Sequence, residues 1–235
     1  MAAQDVAVPA AVDEARRQLR APSAAAVAGL LFAVLFTGAL VLMRSSPLTA
    51  ASDAELAQLV AQGHDQWLFV GALYLAPFAG IMFLWFIAVI RDQIGDREDR
   101  FFATVFFGSG LLFVAFWMAA AAVAGSLVLG VRSLGLNEPT SDQVAFARAL
   151  AYTILFAFGS RAAAVFLVSL GTIGLRSGTF PRWFTVTSYA IGLALLLVVA
   201  VYDWVVLALP AWVAVVSLFI LRRERARRRL TPAAA

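Results

Sequence analysis

The sequence predicts an all-α protein, a polytopic transmembrane helical bundle of six spans with both ends in the cytoplasm. Three observations carry this reading. Of 235 residues, 63% are hydrophobic and only 14% charged, far from the mix of an ordinary soluble domain. Six stretches approach or exceed the roughly 20 mainly apolar residues that cross a hydrocarbon core. The arginines, finally, crowd into alternate connections.

The six expected spans run over 23–43, 67–90, 101–130, 145–175, 183–202 and 205–221. The third and fourth are longer than a crossing requires and should tilt or project from the bilayer. The sixth begins directly after the fifth, which implies a tight turn at Tyr202, Asp203 and Trp204. The chain thus divides into a cytoplasmic arm (1–22), a six-helix transmembrane domain (23–221) and a basic cytoplasmic tail (222–235).

Orientation follows from the retention of positive loop residues on the cytoplasmic side. With the N-terminus inside, Arg16, Arg17, Arg20, Arg91, Arg97, Arg100, Arg176, Arg182, Arg222, Arg223, Arg225, Arg227, Arg228 and Arg229 are cytoplasmic. Arg44, Arg132 and Arg148 fall outside, and Arg161 lies within the fourth span. Trp67 and Trp204 then sit at the outer boundary and Trp183 at the inner one, where amphipathic indoles settle. The first apolar run is too long for the core of a cleaved signal peptide, so it is read as a retained span despite the paired Arg16 and Arg17 before it.

In the longest outer connection, 44–66, Ser52 and Glu55 have the spacing of a capping box ahead of Leu56, Leu59 and Val60. This predicts a short interfacial helix over 52–62, with a solvated loop as the alternative. The run from Arg91 to Arg100 mixes both signs of charge and reads as a solvated cytoplasmic hairpin.

The stretch from Leu73 to Gly110, LYLAPFAGIMFLWFIAVIRDQIGDREDRFFATVFFGSG, resembles a segment of uncharacterised six-helix integral membrane proteins of actinobacteria. The resemblance covers about a sixth of the chain. It implies a bacterial inner (plasma) membrane location and brings no catalytic residue with it. A bias towards Ala, Arg, Leu and Val is consistent with a GC-rich bacterial genome.

Several chemistries are excluded or left without support. There is no cysteine, hence no disulfide, thiolate nucleophile or cysteine metal site. All eighteen basic residues are arginine, which removes Schiff-base chemistry and a P-loop lysine. A single histidine, His64, rules out bis-histidine haem ligation within the chain. No GxSxG, HExxH or Walker A pattern occurs. No catalytic residue, metal site or cofactor is therefore predicted. The net charge of +4 lies beside apolar runs, which suits anionic lipid headgroups better than a nucleic-acid groove.

Arg161 is the most informative residue, because a charge inside a span is costly and usually meets protein, water or a ligand. It lies roughly 20 Å along the helix from both Arg148 and Arg176. Thr153, Ala157, Ala164, Val168, Ser169 and Thr172 share its broad helical face, and small and hydroxylated neighbours predict that this face turns into the bundle. None of the fourteen acidic residues lies within a span. Pro77 leaves the Leu73 carbonyl without an amide partner, and Ser109 lies at similar depth. Arg161, Ser169, Thr153, Pro77 and Ser109 are accordingly the candidate ligand-binding residues.

The expected function is that of a non-enzymatic subunit or accessory protein of a membrane assembly, its buried arginine contacting polar groups or lipid headgroups. Its partners would be membrane lipids and a second membrane protein. A small transporter or channel drawing an anionic solute to Arg161 is the alternative, and a membrane-embedded lipid-modifying enzyme a third reading without a catalytic pair.

Overall fold

In the computed structural model, residues 22–45, 52, 54–55, 66–94, 100–134, 139–177, 180–197 and 203–230 are described. Helix α1 is Pro22–Ser45. Helix α2 joins Gln66–Phe69, a π-helical segment Val70–Leu75 and Ala76–Ile94. Helix α3 is Arg100–Leu134, and α4 joins Ser141–Tyr152, a second π-helical segment Thr153–Gly159 and Ser160–Ser177. Helix α5 is Arg182–Leu197, and α6 is Ala208–Leu230, entered through a 3₁₀ turn at Asp203–Leu207.

Five of these six are long and apolar enough to cross a membrane: Ser23–Met43, Gln66–Arg91, Phe101–Val131, Ser141–Arg176 and Val205–Ala226. This is the helical make-up of a multi-pass membrane protein. Helix α5 is the exception. Its 16 residues span about 24 Å at 1.5 Å per residue, against a hydrocarbon core of about 30 Å. The expected fifth span continued to 202, but 198–202 lie outside the described residues. Asp203 and Trp204 open the 3₁₀ turn, while Tyr202 lies outside the described residues, as do the arm 1–21, His64 and residues 95–99 of the charged turn.

Both capping boxes have a local cause. The Ser52 amide donates to the Glu55 carboxylate at 2.7 Å, and the Glu55 amide returns a bond to the Ser52 hydroxyl at 3.3 Å. The expected continuation of that helix, 56–62, lies outside the described residues. Thr140 and Gln143 make the same reciprocal pair, at 2.9 and 3.3 Å, and start α4. Such a box satisfies two amides that the first turn leaves unbonded.

Pro77 lacks an amide hydrogen, and its ring would crowd the carbonyl four residues back in a regular α-helix. The π-helical turn over Val70–Leu75 sits immediately before it, and such local widening is a known way for a membrane helix to absorb proline. The Ala76 carbonyl also accepts a bond from the Trp117 indole N–H of α3 at 2.9 Å, a buried tie between two helices.

The helices pack mainly on their chain neighbours: α1 on α2, α2 on α3, α3 on α4, and α4 on α5, with α6 returning to α1. Helices α5 and α6 meet through aromatic rings, Phe184 with Trp212 at 5.1 Å and Trp183 with Phe219 at 5.5 Å between ring centres. The centre is aromatic. Phe83 of α2 lies 4.5 Å from Phe32 (α1), 5.3 Å from Phe113 (α3) and 5.2 Å from Phe166 (α4), ring centre to ring centre, while Phe36 stacks 4.1 Å from Trp117. These six rings are all fully buried.

Where helices approach closely, small residues permit it. A Cβ on Gly192 of α5 would stand 3.1 Å from the Ala164 carbonyl oxygen, and one on Gly171 of α4 would stand 3.1 Å from the Ser188 Cβ. Small residues let backbones meet in a solvent that gives apolar side chains no reason to leave it.

Candidate functional site

The site is organised by the second π-helical segment. The Ser160 amide bonds back five residues to the Leu155 carbonyl, and the regular α-helix resumes after it. Where a five-residue ladder returns to a four-residue one, a carbonyl is passed over. Side chains serve the carbonyls here: the Ser160 hydroxyl donates to Phe156 at 2.6 Å, and the Arg161 guanidinium donates to Ala157. Arg161 therefore anchors on its own helix. No hydrogen bond carries it to the Leu73 carbonyl, Ser109 or Ser169.

The direction of Arg161 differs from the expectation. It is half-buried rather than buried, and its neighbours along the helix face are exposed. At about 100° per residue, Val165, Val168, Thr172 and Leu175 all fall within about 40° of it. Val165 is 40% exposed, Val168 38% and Leu175 59%, with Thr172 half-buried. One turn earlier Phe158 is also exposed, its ring 5.9 Å from that of Phe116 on α3. The stripe centred on Arg161 is thus the outward face of α4, lying between α3 and α5.

The physical reason lies on the rest of the helix surface, to either side of the stripe and behind it. Ala162, Ala163, Ala164, Phe166, Leu167, Ser169, Leu170 and Ile173 are all buried. Phe166 enters the aromatic centre, and Ala164 and Gly171 allow the close approach of α5. In lipid, a helix is oriented by the surface that packs best rather than by hydrophobicity. Packing turned Arg161 outward.

The other expected site residues differ in burial and in their bonds. Thr153 is exposed and its hydroxyl donates to the Ala149 carbonyl of its own helix at 2.8 Å. Ser109 is buried, donating to the Val105 and Phe106 carbonyls at 2.6 and 3.1 Å. Ser169 is buried and Pro77 half-buried. None of these hydroxyls is bonded to the guanidinium.

Thr172 belongs to the stripe, and its role was not foreseen. Its hydroxyl lies 2.9 Å from the Tyr189 hydroxyl of α5 and donates to the Val168 carbonyl at 2.8 Å. This pins one edge of the stripe to the neighbouring helix. A Thr and a Tyr on adjacent spans were the only sequence signal for it. At the cytoplasmic end expected from the arginine count, the Arg176 guanidinium lies 4.6 Å from the Phe102 ring centre and that of Arg91 4.9 Å from Phe107, cation–π contacts that tie the ends of α4 and α2 to α3. Among the described residues no three acidic or histidine side chains gather in a way that would hold a metal ion. No family model, curated protein or solved structure shows significant similarity to this chain.

Proposed function

We propose that this protein is a non-enzymatic subunit or accessory protein of an inner-membrane assembly, joined to it through the outward stripe of α4. The single observation supporting this reading is the position of Arg161. A guanidinium has five N–H donors, and this one has a single hydrogen-bond acceptor, the Ala157 carbonyl, among the described residues. It stands on an exposed face inside an apolar helix, where an ion without partners is costly. An assembly partner would relieve that cost. The alternative, an anion pathway, has less support, because the middle of the bundle is filled by packed aromatic rings.

The test is photocrosslinking in the native membrane, with a photoreactive residue at Val165 on the stripe or at Val34, a more exposed position on α1 at 69%. A protein adduct of one discrete size from Val165 and none from Val34 is the expected result. Lipid adducts alone at both positions would remove the subunit reading.

The proposed arrangement has six crossings with both ends in the cytoplasm, supported by the placement of fourteen of the eighteen arginines. The short α5 makes this sensitive, since an even number of crossings requires it to traverse. Single cysteines at Ser52, Gly95, Ser177 and Ala233 in this cysteine-free chain can be labelled with an impermeant reagent in intact cells. Only the Ser52 position is expected to react. Labelling at Ala233 without lysis, with Gly95 and Ser177 still protected, would mean that the number of crossings is odd.

A further inference from the structure

We infer that the stripe Phe158, Arg161, Val165, Val168 and Thr172 docks a transmembrane helix of a different protein, one that carries an aspartate or glutamate at mid-depth opposite Arg161. This rests on the subunit reading and names the chemistry of the partner. Three occupants can bring negative charge to the guanidinium, and they differ in what they require.

A lipid phosphate lies outside a hydrocarbon core about 30 Å thick. Arg161 is 15 residues from Arg176 and 13 from Arg148, about 20 Å of helix in each direction. A headgroup reaches that depth only by thinning the bilayer locally. The guanidinium is also held back along its own helix by the bond to Ala157, rather than extended towards an interface.

A second copy of the chain fails on charge. None of the fourteen acidic residues lies within 23–43, 67–90, 101–130, 145–175, 183–202 or 205–221. A copy could therefore offer no carboxylate at this depth, and a symmetric contact would set Arg161 against Arg161. Like charges in a low-dielectric medium repel strongly.

A foreign helix with an intramembrane acid meets both conditions. It delivers the carboxylate at the right depth without deforming the bilayer, and the planar guanidinium can accept it with two parallel bonds. The apolar side chains flanking Arg161 supply the packing surface, while the Thr172 to Tyr189 contact holds that edge of the stripe in place.

The experiment uses the full-length protein carrying one fluorophore on a cysteine at Ala233, in phosphatidylcholine vesicles. The probes are labelled Leu/Ala-rich peptide helices of about 20 residues, identical except for a central Asp, Asn or Leu. Energy transfer reads association. The Asp helix is expected to associate roughly tenfold more tightly than the Leu helix, with Asn between them. Arg161→Leu should flatten the series, and Arg161→Lys should keep a reduced preference, because an ammonium lacks the planar fork. Equal association of all three helices with the wild type would overturn the proposal, as would an Asp preference that survives in Arg161→Leu.

If Arg161→Leu does not purify as a monodisperse protein, Val165→Trp keeps the charge and crowds the stripe. It should weaken Asp-helix association, and an unchanged value would count against docking here. Native mass spectrometry with phosphatidylglycerol separates the lipid occupant. Retention lost on Arg161→Leu, without any Asp preference in the wild type, would assign the site to a phosphate and overturn the helix. A discrete crosslink at Val165 with no Asp preference would leave the subunit reading standing and remove only the acidic partner.

Discussion

Phe83→Ala is expected to lower the unfolding free energy of the bundle by about 3 kcal/mol. The side chain is fully buried and its ring is shared among four helices, with Phe32, Phe113 and Phe166 all within 5.3 Å. The figure is set at the low end of the range for large-to-small aromatic changes in soluble cores. Lipid tails are as apolar as the interior, so transfer from water contributes little and the loss is mostly dispersion contact across the cavity left behind. Phe146→Ala, at a site 70% exposed, should cost no more than about 0.5 kcal/mol. Steric trapping in bicelles compares the two. A loss at Phe83 no greater than that at Phe146 would show that the aromatic cluster is not the packed centre.

A second large effect is expected at Gly29, where α1 meets α2 and α6. A Cβ there would stand 2.2 Å from the Ser217 Oγ and 2.9 Å from the Phe86 ring. Rotation of Ser217 can relieve the first contact. Its hydroxyl is buried without a hydrogen-bond partner, so nothing holds it in place. Phe86 is fully buried, so its ring must displace packed neighbours to move away. Gly29→Leu should therefore force α1 away from α6 and cost at least about 2 kcal/mol. Gly108 is the control, since a Cβ there meets nothing within 4 Å. Gly108→Leu should be neutral or stabilising by up to about 1 kcal/mol, because replacing a mid-helix glycine removes backbone entropy from the unfolded chain. Equal losses at the two glycines in the same unfolding assay would contradict the packing described.

The sequence by itself determined the fold class, the positions of the helices and the Ser52 to Glu55 cap. Each is a local property: apolar length specifies a membrane helix, and a hydroxyl three residues before a glutamate specifies a cap. The first four helices accordingly begin and end close to the expected spans, and Pro77 marks a break in regular helix where the structure has a π-helical turn. The Thr140 and Gln143 box, which the structure adds ahead of the expected start of the fourth span, has the same local pattern.

Only the tertiary structure decided which way α4 faces. A helical wheel placed Arg161 among small and hydroxylated residues, and the cost of a charge in lipid argued for turning it inward. Ala164 and Gly171 instead admit α5, and Phe166 fills the space beside Phe83 and Phe106. That packing outweighs the preference of one side chain, which can bond its own helix at Ala157. The choice depends on the shapes of residues far apart in the chain, on α2, α3 and α5. Periodicity within one span carries no record of them, because lipid does not distinguish an apolar face that packs from one that does not.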